Sequence, residues 1–281
     1  MAATVILPIR GGLTALDACL AALDRSLPPD TAVLLLDDAS GDPRVADLAS
    51  DWCAGTALAA RHLRSTRPRG QPAACNAAFA EAGDSDPVLL ATDALPAGDW
   101  LQALVATAAR EAQAGSLSAW SNDGEICSFP RFCEASPVPA DPGETQRAAA
   151  AATAGALPEL PAAAGPAVLL RRQALRQIGD FDAASFQQLE HALADWCRRA
   201  AAMGWRHLLG DAAYVARQPA EPATATPAQA EELSRLLARW PDLHERMARF
   251  MLEDPLQAAR QRLQERLDAL RRSGPQGDLF G

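Results

Sequence analysis

The stretch VLLATDALPAGDW, Val88 to Trp100, decides how the chain is read. Val88–Leu90 is an apolar run that reads as a buried strand. Asp93 stands just past its end, and Pro96 and Gly98 punctuate a turn before a helix that starts near Asp99 and Trp100. A carboxylate in that place can be a metal ligand, an acceptor for sugar hydroxyls or a helix cap. The choice depends on the pattern around it.

Upstream, strand and helix patterns alternate. TVILP (Thr4–Pro8) is a short β-rich run, followed by LTALDACLAALDRSL with Leu13, Leu16, Leu20 and Leu23 at helical spacing. AVLLLDD (Ala32–Asp38) is a second strand ending in two acids, and PRVADLASDWC is a helix with Pro43 near its start. ALAARHL is a third strand, QPAACNAAFAEAG a helix closed by Gly83, and DPVLLATD the fourth strand. DWLQALVATAAREAQAG continues as a helix expected to stop at Gly115. This βαβαβαβ order predicts a mainly parallel sheet covered by helices on both faces. Ligands of such sheets sit beyond the carboxyl ends of the strands, which here carry Pro8, Asp37–Asp38 and Asp93.

From Trp120 the periodicity weakens. WSNDGEICSFPRFCEASPVPADPGE is a Pro- and Gly-punctuated loop, too long for a plain connection and so a candidate functional segment or lid. TQRAAAAATAGAL reads as a helix, GPAVLLRRQAL as a strand into a helix, GDFD as a turn and AASFQQLEHALADWCRRAAAMG as a helix ending at Gly204. WRHLLGDAAYVARQ reads as a short hairpin or strand pair. PAEPATATPA has linker composition, and three helices follow: Ala228–Trp240, Pro241–Glu253 and Pro255–Arg272. The last carries a stripe of Leu256, Ala259, Leu263, Leu267 and Leu270. The stripe suits packing on its own domain first and a homo- or hetero-oligomer contact through the C-terminal helices second.

Composition narrows the function. The 281 residues are 49% hydrophobic and 22% charged, ordinary for a chain with a sizeable core. A net charge of −9 argues against a nucleic-acid groove. All 26 basic residues are arginine, which excludes Schiff-base and P-loop lysine chemistry. The six cysteines stand singly, without metal-ligand spacing, and read as reduced thiols. No signal-peptide pattern or long apolar run is present, so a soluble protein is expected, cytoplasmic or peripheral at the inner membrane.

Three places stand out for chemistry. In LLLDDASGD the acids can bind a ribose or a base edge, or can serve as Asx-turn and cap residues, since Ser40 and Asp42 precede a helix. Arg67, Arg69 and Gly70 precede another helix, where an anion is favoured, and Asn76 within that helix needs a partner. Asp123 and Glu125 of SNDGE are a solvated turn unless the loop folds over the site. The four histidines build no metal site, no G-x-S-x-G elbow is present, and the first strand lacks the G-x-G-x-x-G of dinucleotide binders.

TVILPIRGG, LLLDDASGD, RGQPAACNAAFAEA, VLLATDALPAGDWLQAL and SNDGEICSFP occur in the order and spacing of family 2 glycosyltransferases, and LPAAAGPAVLLRRQAL…GDFD…GWR…YVARQ is similar to that family's acceptor half. The resemblance covers about residues 4–218. It implies a GT-A fold over 1–218, with a nucleotide-binding half (1–119) and an acceptor half (120–218), then a linker (219–227), a helical extension (228–273) and a tail (274–281). It implies a nucleotide-sugar donor, UDP- or GDP-linked, a glycan acceptor and an inverting transfer. Pro8 and Ile9 would line the nucleotide pocket, Asp38 would bind uracil or ribose, and Arg69 and Gly70 would approach base or diphosphate. Asp93 would be the surviving acid of the Asp-x-Asp motif that holds Mg²⁺ or Mn²⁺, and Asp195 would supply or neighbour the catalytic base. Four departures accompany it. Ala91 stands in place of the motif's first acid. Glu190 and Asp195 lie five residues apart, about 140° around a helix, where the family has adjacent acids. IRGG displaces the usual asparagine after Pro8. Arg217 or Ala216 stands where a histidine is frequent, and Arg217 can substitute for metal charge by pairing with the diphosphate.

Overall fold

The computed structural model describes residues 2–9, 12–219 and 226–273. Its strands are β1 (Ala3–Pro8), β2 (Ala32–Asp37), β3 (Ala59–Arg64), β4 (Asp86–Leu90), β5 (Ala94–Pro96), β6 (Ala114–Trp120), β7 (Ala167–Leu170) and β8 (Arg206–Arg217). They form one eight-stranded sheet in the order β3-β2-β1-β4-β7-β6-β8-β5. The pairs among β1, β2, β3 and β4 are parallel, as is β6 with β8, whereas β7 runs antiparallel to both neighbours and β5 antiparallel to β8.

Alternation along β1 assigns the faces. Val5 and Leu7, with Val33, Leu35, Val88 and Leu90, pack against α1 (Leu13–Ser26), α2 (Pro43–Gly55) and α4 (Trp100–Arg110). Ile6, with Leu34, Leu36 and Leu89, packs against α3 (Gln71–Glu81), α6 (Arg172–Ile178) and α7 (Leu189–Ala202). A third core around Trp120, Phe129 and Tyr214 is closed by α5 (Pro142–Ala151), α9 (Leu243–Glu253) and α10 (Gln257–Ser273). The remaining helix, α8 (Pro227–Arg239), starts with a capping box in which the Thr226 hydroxyl accepts from Gln229 N and the Gln229 side chain accepts from Thr226 N. Most of the expected linker, residues 220–225, and the tail, 274–281, lie outside the described residues.

Two expectations change, and a third is met in its first form. The helix from Trp100 ends at Arg110, and Ala114–Trp120, expected to begin with a helix stop at Gly115, is a fully buried strand. Its sequence, AGSLSAW, is poor in β-branched residues, so local preference did not mark it. Gly115 serves packing there, since a Cβ would come 3.0 Å from that of Trp205. Residues 206–217 are one twelve-residue strand, not a hairpin. The Gly210–Asp211 step reads as a turn but lies in a strand whose pairing with β6 shifts register between Ser118 and Trp120. The leucine stripe of α10 is consumed inside the chain, with Leu256, Leu263 and Leu267 buried in the third core beside Ala148 and Ala149 of α5. That face is not presented to a second molecule.

Candidate functional site

Parallel pairing puts the carboxyl ends of β1, β2, β3 and β4 on one edge of the sheet, and most of the expected donor-side residues lie there. Pro8 is buried at the end of β1, and Ile9 N donates to Leu36 O at 2.8 Å. At the end of β2 the two acids divide the work. Asp37 is buried, and its Oδ1 accepts from Ser40 N at 2.7 Å, closing an Asx turn. Asp42 caps α2 by accepting from Arg44 N.

Asp38 points across to the start of α3. Its two carboxylate oxygens accept from Arg69 N at 2.9 and 3.0 Å, and Oδ2 also from Gly70 N at 2.8 Å. Gly70 caps α3 with φ +88° and ψ 146°, a conformation open essentially to glycine, and a Cβ there would collide with the Gln187 side-chain oxygen. Asp38 and the Arg69–Gly70 pair, read as separate places in the sequence, are thus directly bonded into one corner. Beside it, Asn76 finds the partner it needs: its amide donates to Phe181 O at 2.9 Å and accepts from Phe181 N at 3.0 Å. The first half of the chain is stitched to the GDFD turn by this pair.

Two strands away, the chain leaves β4, and Ala91 N bonds Pro166 O at 2.8 Å. It turns through Asp93 into β5, whose Ala94 pairs with Arg217 of β8. Asp93 and Arg217 therefore face each other, with Nε of Arg217 at 3.0 Å from both Asp93 oxygens. The 121–136 loop clamps this pair from behind. Asn122, only 2% exposed, accepts from Arg217 N at 2.7 Å and donates to Arg217 O at 3.0 Å and Ser136 O at 2.9 Å. Asn122 was not singled out in the sequence. An asparagine between Ser121 and Asp123 reads as a turn residue, and only its burial reveals the clamp.

The same loop carries Glu125 in a single 3-10 turn, Glu125–Cys127, with φ +56°. Its carboxyl is pushed above the ordinary glutamate value by desolvation; Arg217 opposes that shift, and Glu190 and Asp123 add to it. Glu125 is thus within electrostatic reach of both Arg217 and the acidic residue on the first turn of α7.

Asp195, expected to supply or neighbour the base, is fully buried and occupied elsewhere. Its Oδ2 accepts from Arg199 Nε at 2.9 Å, and its Oδ1 from Arg239 Nη1 and Trp240 Nε1, each at 2.9 Å. Arg239 also reaches Asp182 at 2.8 Å and lies over the Phe186 ring. The carboxylate is a strut between α7 and the end of α8. Among the histidines, His207 is a satisfied core residue between Ser116 Oγ and Cys197 O, each at 2.8 Å. All six cysteines are free thiols.

The donors present do not fit a divalent cation. Asp93 spends both oxygens on Arg217, Ala91 offers none, and among the described residues no three His, Cys, Asp or Glu side chains converge as a metal site. Both oxygens of Asp93, the expected metal ligand, meet Arg217 Nε here.

A mostly parallel sheet with acids and an anion-favouring helix start along its carboxyl edge, joined to a second half by an antiparallel crossover, defines the GT-A class of nucleotide-sugar-dependent folds. Residues 4–179 match the family model for Glycosyl transferase family 2, and the chain belongs to that family. Solved structures agree on the fold. GalNAc-T7 with UDP, GalNAc and Mn²⁺ superposes with a TM-score of 0.65 at 14% identity, over 85% of this chain and 48% of that one. The mannosyltransferase PcManGT of Pyrobaculum calidifontis, in complex with GDP-Man and Mn²⁺, gives 0.61 at 22% identity, over 97% and 75%. S. aureus TarS 1–349 with UDP gives 0.56 at 16%, over 85% and 65%. The chain thus spans about half the length of the GalNAc-T7 structure. No curated protein matches it in sequence. Among the described residues no helix is long and apolar enough to cross a membrane.

Proposed function

We propose that the chain transfers a sugar from a UDP- or GDP-linked donor to a glycan or surface-polysaccharide acceptor in the cytoplasm or at the inner membrane face, with inversion at the anomeric carbon. In this reading residues 1–119 hold the donor and 120–218 the acceptor. The observation that carries it is the Asp38 corner, where a partly exposed carboxylate orders the Arg69–Gly70 backbone at a helix start on the carboxyl edge of the sheet. Pro8 and Ile9 adjoin that corner through the pairing of β1 with β2. Family membership and solved neighbours bound to UDP or GDP-Man support the donor class.

The base in this reading is Glu125, not Asp195. Glu125 lies within electrostatic reach of Arg217, and desolvation of its carboxyl gives it the raised proton affinity a base needs. It accepts the acceptor hydroxyl proton as that oxygen attacks the anomeric carbon and the nucleoside diphosphate leaves with the bonding electrons.

The test is release of UDP or GDP from sugar nucleotides in the presence of glycan acceptors. Glu125→Gln is expected to lower kcat about 10²-fold or more without weakening nucleotide binding. Unchanged turnover in that variant rules Glu125 out. A second reading, a binding partner without turnover, is favoured by the burial of Asp195. Nucleotide binding with no product from any donor and acceptor would select it.

A further inference from the structure

We infer that the donor diphosphate is held by the Arg217 guanidinium without a divalent cation, Asp93 serving as the carboxylate that orients that guanidinium. The inference rests on the donor reading above and concerns how that donor is held.

Three observations lead to it. First, the place where a cation would sit against Asp93 is filled by Nε of Arg217, at 3.0 Å from each oxygen. Second, only the Nε–H of the guanidinium is used. Among the described residues neither terminal amino group has a hydrogen-bond partner, and the side chain remains 28% exposed, so four N–H donors are left for an incoming group. Their planar fork matches two phosphate oxygens. Third, the backbone of Arg217 is fixed from both sides: Asn122 bonds its N–H and C=O, and Gln218 N donates to Asp93 O at 2.8 Å. A guanidinium held at its root and at Nε by a carboxylate is pre-organised, so little side-chain entropy is lost on binding.

The charge balance sets the strength. Arg217 is one cation, paired with the Asp93 carboxylate, and Glu125 adds a negative field close by. Modest affinity is expected, and it should weaken with salt.

Isothermal titration of the full chain with UDP and with GDP, in EDTA and in MnCl₂, tests this. Equal affinity in the two buffers is expected. Arg217→Ala should weaken binding about tenfold or more, the loss of a charge-assisted fork, and Arg217→Lys should recover only part of it. A melting curve for each variant confirms that it is folded. Asp93→Asn separates the alternatives: the amide oxygen can still accept from Arg217 Nε and keep it oriented while a negative charge is removed, so affinity should stay unchanged or rise, whereas a metal ligand there predicts a loss. Binding that needs Mn²⁺ and disappears in EDTA overturns the cation-free assignment and leaves the donor reading standing. Absence of binding in both buffers overturns the donor reading, and this one with it.

Discussion

On the carboxyl edge of β2, Asp38 keeps part of its surface in water and holds backbone N–H groups; on α7, Asp195 has no exposed surface and holds two arginines and a tryptophan. The residue type is the same, and the setting differs. A carboxylate that bonds local backbone keeps lone pairs for a ligand and orders the loop that meets it. A carboxylate enclosed by side chains from two helices is saturated and fixes how those helices dock. Burial and partner type, more than position in a motif, separate a binding acid from a structural one.

The comparison can be broken most directly at Asp195. Asp195→Ala should lower unfolding free energy by about 3 kcal/mol, because it leaves Arg199 and Arg239 without their shared counter-charge. The low end of the usual range applies, since both arginines keep some contact with water. Chemical denaturation measures it, and a change below ~1 kcal/mol would end the strut assignment. Gly70→Ala comes next, at about 2 kcal/mol, from the left-handed backbone and the collision with Gln187. It should also weaken UDP binding, because the Asp38 corner must shift. Asn76→Ala should cost about 1–2 kcal/mol by leaving the Phe181 backbone pair unmet, with nucleotide affinity barely changed. Asp38→Ala inverts the Asp195 result: about 1 kcal/mol or less in stability but a clear loss of nucleotide affinity.

The smallest effect is in pH. Glu232 of α8 accepts from Gln187 N and Gln188 N and sits 3.2 Å from His191; despite desolvation, these contacts hold its carboxyl below the ordinary 4.5. Asp182 is likewise held below its ordinary value: burial opposes the shift, and the Arg239 and Ser185 contacts outweigh it. A lowered folded pKa stabilises above the unfolded value and is lost as pH falls through the folded one. Docking of α8 should therefore be constant from neutrality to about pH 5 and loosen below pH 4.5, ahead of the sheet. Hydrogen exchange along Pro227–Arg239 across that range reports it.

Much of the donor half was legible because β1, β2 and β4 are apolar runs, the last two followed by acids, and a helix stop such as Gly83 is clear. Asp38 and the Arg69–Gly70 pair were singled out as separate places, and the structure bonds them together. β6 was missed because Ala, Gly and Ser occupy a strand that is held by burial and by its pairing with β7 and β8. β8 was divided because Gly210–Asp211 resembles a turn, whereas the glycine is there to admit Leu104, whose Cδ2 would lie 2.8 Å from a Cβ. Arg199 stands four residues on, but the full enclosure of Asp195 could not be read from spacing, because its other two partners, Arg239 and Trp240, lie more than 40 residues away at the end of α8. The Asp93–Arg217 pair spans 124 positions and is set by strand pairing, which a linear pattern does not contain.

Arg260 of α10 is almost fully buried, forms a two-pronged ion pair with Asp254 at 2.8 Å, lies over the Phe132 and Trp120 rings and donates to Ser128 O. It therefore supports from below the same loop that presents Asn122 and Glu125 above. This has a consequence in time as well as space. During synthesis the sheet and the Asp38 corner are complete long before α10 emerges, but the acceptor-side loop gains its support only when Arg260 has been made. In a nascent chain the Asp38 corner should therefore form before the loop of Asn122 and Glu125 is set, and α10 then completes that wall.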